Sequence, residues 1–167
     1  MNIHDAIVFL DSQVPNPTAG LPEELFLFVS RTTPMVNVDL LVQDEHGRTL
    51  LSWRDDVLGY VGWHIPGGII RFKETLEQRI QKVAEHELGT RVEFDPVPIA
   101  MHEIIHPTRN IRGHFLSLLY RCRVPADYVP RNPGRKVTDA GYLMWHEQCP
   151  QNILGVHEVY RAVMDGQ

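Results

Sequence analysis

The chain is poor in cysteine, with two residues, Cys122 and Cys149, among 167. Two cysteines cannot build a disulfide framework, and Cys122 lies in the apolar run LSLLYRCRV, where it reads as a small packed hydrophobe. No apolar run approaches the roughly 18 residues of a membrane span. The opening MNIHDAIVFLDSQVP has neither a basic start nor a small-residue cleavage site, so a reduced, cytoplasmic compartment is expected. Positive charge is not in excess either. With 16 Lys+Arg against 21 Asp+Glu the net charge is −5, which gives no sequence-wide reason to expect nucleic acid or an anionic membrane as partner. Internal repeats and low-complexity tracts are absent.

Histidine, by contrast, is abundant. Full protonation of all nine would carry the net charge from −5 to +4, so the charge swings strongly between pH 7 and 5. The hydrophobic fraction of 43% and the length of 167 residues suit one globular domain with a substantial core. Residues 1–20 end in VPNPTAG and read as an N-terminal arm, leaving residues 21–167 as a single domain. Within it, Pro22 followed by two acids suits a helix first turn, and Pro34 forbids its continuation. The run VNVDLLV (36–42) reads as a buried strand, and residues 49–54 complete a hairpin-like pair with it. Residues 74–88 read as a helix with Leu76, Ile80, Val83, Ala84 and Leu88 on one face and Gly89 just past its end. Strand-like runs follow at 91–93, 98–105, 115–124 and 142–145, and an amphipathic helix closes the chain at 151–164. Strands interleaved with helices define an α/β domain.

The most specific stretch is GGIIRFKETLEQRIQKVAEHELG, residues 67–89. Gly68, Glu74, Lys82, Glu87 and Gly89 fall at the spacing of the Nudix box, which the segment resembles. That pattern places three helix carboxylates at i, i+3 and i+4, on one face, where they hold Mg²⁺ against a diphosphate. Here those positions carry Val83, His86 and Glu87, so a single carboxylate survives. Glu85 is turned about 100° to 200° from its neighbours at ~100° per residue. The box arginine is Lys82, which keeps the charge and loses the bidentate fork.

The pattern of loss is similar to that of the GDP-mannose mannosyl hydrolases, an atypical Nudix branch that keeps the last glutamate. SRTTPMVNVDLLVQDEHGRTLLSWR (30–54) and GYVGWHIPGG resemble its first strands and its approach to the box. The resemblance implies a Nudix-type α/β/α sandwich, with a mixed β-sheet between helices. It further implies a homodimer and a small-molecule nucleotide sugar as partner. The reaction implied is hydrolysis of GDP-mannose to GDP and mannose by attack at the anomeric carbon, with Mg²⁺ (Mn²⁺ as the alternative ion) neutralising the leaving diphosphate. The metal ligands implied are Glu87, the Gly67 carbonyl and Asp139. Asp39 would face the sugar, Arg54 the diphosphate, and His106 the sugar or phosphate, as the catalytic set. Gly68, Arg71 and Lys82 would join Arg54 in binding substrate.

Alternatives stand beside these roles. Arg54 can end a strand in solvent, and Asp39 can be a paired structural carboxylate, since an unpaired one amid apolar residues costs several kcal/mol. His106 beside Pro107 can be a solvated loop residue, Glu87 can simply serve the helix surface, and Lys82 can pair with Glu74 or Glu85. The branch's general-base histidine falls on Ala140, and VTDAGYLMW contains no histidine. Another base must serve, with His102, Glu103, His106, His114 and His146 as candidates, or the chain is a non-catalytic module that binds a nucleotide or nucleotide sugar. A metal site at His102, His106 and His114 is a poor chelate, because His102 and His106 would lie about 13 Å apart at ~3.3 Å per residue of strand.

Overall fold

The computed structural model describes residues 2–56 and 59–167, so the first residue of the expected arm lies outside it. Helices α1 (Ile3–Gln13) and α2 (Glu23–Val29) precede strands β1 (Met35–Val42), β2 (Thr49–Asp55), β3 (Val61–His64) and β4 (Gly67–Ile69). Helix α3 (Leu76–Val83) continues as a π-helical turn, Ala84–Leu88. Then come β5 (Glu93–Phe94), β6 (Ala100–Ile105), β7 (His114–Arg123) and β8 (Leu143–His146). A 3-10 segment, Gly155–Tyr160, leads into one turn of α-helix, α4 (Arg161–Met164).

β1 is an interior strand of a five-stranded mixed sheet. It runs parallel to β7 on one edge and antiparallel to β4 on the other, while β6 and β5 both pair with the far edge of β7. Alternation along β1 sends Val38, Leu40 and Val42 to one face, where Ile80, Val83, Ala84 and Leu88 close the first core cluster. Burying each of the larger of these side chains contributes about 1.5–3 kcal/mol. Leu41 faces the other way, with Leu119, Tyr160 and Met164 in the second cluster. The result is the α/β/α sandwich expected, with the mixed sheet between α3 and the C-terminal helical segment. A separate antiparallel sheet, β3–β2–β8, flanks it and adds Leu50 to the first cluster and Leu51, Trp53 and Trp63 to the second. Among the described residues no helix is long and apolar enough to cross a membrane.

Several local expectations are corrected. The arm is mostly α1, begun by an Asn2–Asp5 capping box, and none of its residues is buried. β1 and β2 are not a hairpin: β4 and β7 pair with the two edges of β1, so β2 joins the other sheet, and an isolated bridge, Gln43–Thr49, links the two beside the turn closed by Asp44 N donating to Arg48 O. α3 begins two residues late, because Thr75 caps it by accepting from Gln78 N at 3.1 Å. Glu74 thereby falls outside the helix. At its far end Gly89, at φ 70°, supplies the left-handed exit foreseen. The C-terminal helix is mostly 3-10, which sets His157 and Tyr160, three apart, on one inward face.

Candidate functional site

A cleft of about 760 Å³ opens between the two sheets where β2, β3 and β4 meet the π-helical turn. Gly67 and Gly68 are required there for packing. A Cβ on Gly67 would overlap the Asp39 carboxylate and stand 2.9 Å from the Val38 carbonyl oxygen, and one on Gly68 would stand 2.8 Å from Val83 Cγ2. The glycine pair therefore lets β4 lie against both β1 and α3, and this brings Glu87 to the cleft wall. The Glu87 carboxylate accepts from Gly67 N at 3.3 Å and stands 3.5 Å from Nε2 of His64.

The positive wall is formed from β2 and the loop before β7. Arg54 donates from Nε to Asp56 at 2.7 Å and lies over the Tyr60 ring at 5.1 Å. Arg109 covers the same ring at 3.9 Å. Arg112 lines the cleft too, with a left-handed backbone at φ 52° and its N–H donating to Ser30 Oγ at 3.3 Å. Burial, then the Arg54 charge, lowers the Arg112 guanidinium pKa. Crowded guanidinium groups of this kind suit an anion, and a planar fork suits phosphate oxygens. Arg131 and Arg135 border the cleft on the side of Ala140 and Gly141.

Asp39 lies at the cleft floor, 1% exposed, in a cage of neutral donors. Tyr160 OH donates to it at 2.6 Å, Asn37 Nδ2 at 2.6 Å, and Ser117 Oγ by a further short hydrogen bond. Burial raises its pKa against these bonds and the nearby His64. So Asp39 ties β1 to β7 and to the C-terminal 3-10 segment, and its three bonds leave little of it for a ligand.

Of the residues singled out from sequence, Asp39, Arg54, Gly67, Gly68 and Glu87 come together at the cleft. Four others lie elsewhere. Lys82 pairs with Glu74 at 2.9 Å, as one of its two readings had it. Arg71 donates to the Ala19 carbonyl, fastening the arm to the loop before α3. Asp139 is exposed and accepts from Lys136 N at 2.7 Å in its own turn. His106 lines a second depression and accepts from Thr108 N at 3.4 Å.

None of the five groups weighed as replacement base lines the cleft. Glu103 and His114 pair at 3.2 Å on the sheet edge, His102 stands edge-on to Tyr160, and His146 to Trp63. The histidines that do line it are His64, His86 and His157. Register could have pointed to His64, which pairs with Ser52, two residues from Arg54 along the same strand. His157 had no such signal, because the final segment reads as a surface helix.

For a metal, the donors fit only in part. Among the described residues no three His, Cys, Asp or Glu side chains gather as a cage. Glu87 is a hard oxygen donor facing the cleft beside Gly67, which fits Mg²⁺ held by one carboxylate together with the phosphates of a ligand.

The NUDIX domain family model matches residues 33–154. The chain belongs to the Nudix hydrolase family. Among curated proteins it is similar to the low-salt glycan biosynthesis protein Agl8 of Haloferax volcanii. The two are 28% identical over 120 residues, 70% of this chain and 76% of that protein. Among solved structures, a candidate asymmetric diadenosine tetraphosphate hydrolase from Jonesia denitrificans superposes with TM-score 0.61 at 20% identity, covering 80% of this chain and 96% of that one. A MutT Nudix hydrolase from Burkholderia pseudomallei gives TM-score 0.60 at 22% identity, covering 76% and 95%. These likenesses establish the fold.

Proposed function

We propose that the protein is a Mg²⁺-dependent hydrolase of a nucleotide diphosphate sugar, converting GDP-mannose to GDP and mannose by attack of water at the anomeric carbon. The observation that carries this reading is that Glu87, the one carboxylate left on the box helix, shares a cleft with Arg54 and Arg112, while Asp39 at its floor is caged and Asp56 is held by Arg54. Attack at phosphorus by a box-made nucleophile calls for several metal-holding carboxylates, and here Val83 is buried where one would stand. Glycosyl cleavage makes a smaller demand. The bond between the anomeric carbon and the diphosphate oxygen breaks, water supplies the new oxygen, and one water proton leaves to a base not yet assigned.

In this reading Glu87 and the Gly67 carbonyl hold Mg²⁺, which when bound neutralises charge on the leaving diphosphate. Arg54 and Arg112 bind and orient the same oxygens. The glycan-related name of the Haloferax relative supports a sugar-bearing substrate. The exposed stripe Ile3, Ile7 and Leu10 on α1 supports a homodimer, which sedimentation would test.

A second reading, a non-catalytic module that binds a nucleotide sugar, is favoured by Ala140 at the cleft edge where the branch has its base. HPLC of GDP-mannose incubated with Mg²⁺ separates the two, run beside Glu87→Ala. GDP and free mannose, lost in the variant, support the proposal. GMP and mannose phosphate would mean attack at phosphorus. Intact GDP-mannose with ligand-dependent thermal stabilisation would select the binding module.

A further inference from the structure

The 3-10 segment turns His157 and Tyr160 inward together, and their rings lie 5.6 Å apart. Tyr160 goes to Asp39, and His157 goes beneath the end of β3 to line the cleft. There the backbone N–H of Ile65 donates to His157 Nδ1 at 3.0 Å. A main-chain amide can only donate, so Nδ1 must carry the lone pair. The proton of the neutral ring is then on Nε2. The main chain of β3's exit thus chooses the tautomer. Among the described residues Nε2 makes no hydrogen bond, yet it is not one of the buried polar atoms left without a partner, as His64 Nδ1 is, and the ring lines the cleft.

We propose that His157 is a fixed, uncharged hydrogen-bond donor of the cleft, whose Nε2–H contacts an oxygen of the substrate's diphosphate. The proposal rests on the nucleotide diphosphate sugar reading above and adds a contact to it. A sugar hydroxyl both donates and accepts, and an ordinary histidine changes role with pH. A donor with a locked tautomer is matched to oxygens that only accept, as those of a diphosphate do. The ring's neutrality agrees with its surroundings. Burial, then the charges of His64 on β3 and Arg54 on β2, lowers its pKa to about 3. Asp39 on β1 and His102 on β6 both meet Tyr160 instead of His157. The contact therefore persists across the range in which free histidine titrates, near ~6.5. A neutral donor also stabilises charge developing on the leaving group without giving up its proton.

The test uses the full chain labelled with ¹⁵N. Long-range ¹H–¹⁵N spectra at pH 5.5, 6.5 and 8 should show one histidine with a bare Nδ1 and a protonated Nε2 that does not titrate, assigned by its loss in His157→Gln. Adding GDP with Mg²⁺ should move that Nε2–H signal. His157→Leu should raise the GDP dissociation constant about tenfold, while His157→Gln, which keeps a donor, should recover most of the affinity. If GDP binds by calorimetry while the signal stays put, or the ring carries its proton on Nδ1 or is charged at pH 6.5, the inference is overturned and the functional reading stands. If neither GDP nor GDP-mannose binds the wild type, both fall together.

Discussion

The Glu74 carboxylate meets the Arg79 guanidinium inside the fold, Nε donating to Oε2 at 2.7 Å, with the Glu74 side chain fully buried. Lys82 Nζ reaches the other oxygen at 2.9 Å, and Arg71 N donates at 3.0 Å. The two surviving box glutamates thus have opposite duties. Glu74 locks the loop onto α3, and Glu87 faces the cleft.

From this follows an acid-stability prediction. Burial pushes the Glu74 carboxyl up, but the bonds from Lys82, Arg71 N and Arg79 outweigh it and hold the pKa at about 2. A depressed pKa stabilises the fold at pH values above the ordinary ~4.3, and that contribution is lost as pH falls toward 2. Glu74→Gln should cost about 3 kcal/mol at pH 7. The gap between wild type and variant in urea unfolding should narrow below pH 4. An unchanged gap at pH 3 would mean that Glu74 acts through packing alone.

How much of this was legible in the sequence depended on local spacing. The glycine pair, the depleted box and the helix exit at Gly89 are local features, and all stand where spacing put them. The Asp39 cage was not legible, because its donors come from Ser117 and Tyr160, 78 and 121 residues away. The expected role of Arg71 in substrate binding fails for a related reason. The arm claims its guanidinium through the Ala19 carbonyl, and Arg112 enters the cleft from a loop that sequence read only as a gap between strands.

Removing one donor from that cage gives a second pH signature, of opposite sign. Because burial raises the Asp39 pKa, stability is fullest below the ordinary ~3.9 and is lost as pH rises through the folded value. The Tyr160 bond favours the ionised form, so it matters most where Asp39 is ionised. Tyr160→Phe should destabilise by about 1–3 kcal/mol, with the larger loss at the alkaline end of the range in which the protein stays folded. A loss that does not change anywhere in that range would mean that the bond is indifferent to the charge of Asp39.

Gly67→Ala tests the packing of β4. The added methyl meets the Asp39 carboxylate and the Val38 carbonyl, and neither can retreat without disturbing β1. A loss of about 1–3 kcal/mol is expected in thermal or urea unfolding. Because the same methyl disturbs the strand that carries Asp39, the Tyr160 hydroxyl bond should loosen, read as a change in the Tyr160→Phe coupling in a double-mutant cycle.

The thiols should be silent in the native protein. Burial raises Cys122 to about 12 and Cys149 to about 11. A thiol without thiolate is a poor nucleophile. A disulfide-exchange reagent at pH 8 should therefore find no fast-reacting cysteine, and both should react once urea unfolds the chain. A single rapid reaction in the native state would identify a surface opening near Cys149, the less deeply buried of the two.

Arg112 joins ligand affinity to apo stability with opposite signs. Burial, then the Arg54 charge, disfavours its charged guanidinium, with Arg109 adding to this and Tyr60 and Asp56 offsetting part of it, and its backbone sits at φ 52°, a strained value for a side-chain-bearing residue. A diphosphate relieves the repulsion, whereas the apo protein must bear it. Arg112→Ala should therefore leave the apo melting temperature unchanged or raise it, while the stabilisation given by GDP falls sharply. Arg112→Gly should raise the apo temperature further, since it removes the backbone strain as well. Arg112→Lys should recover charge but not the paired contact, giving intermediate affinity. If Arg112→Ala instead lowers apo stability and leaves GDP stabilisation intact, the arginine is a brace against Phe26, whose ring it overlies at 5.8 Å, and the anion wall rests on Arg54.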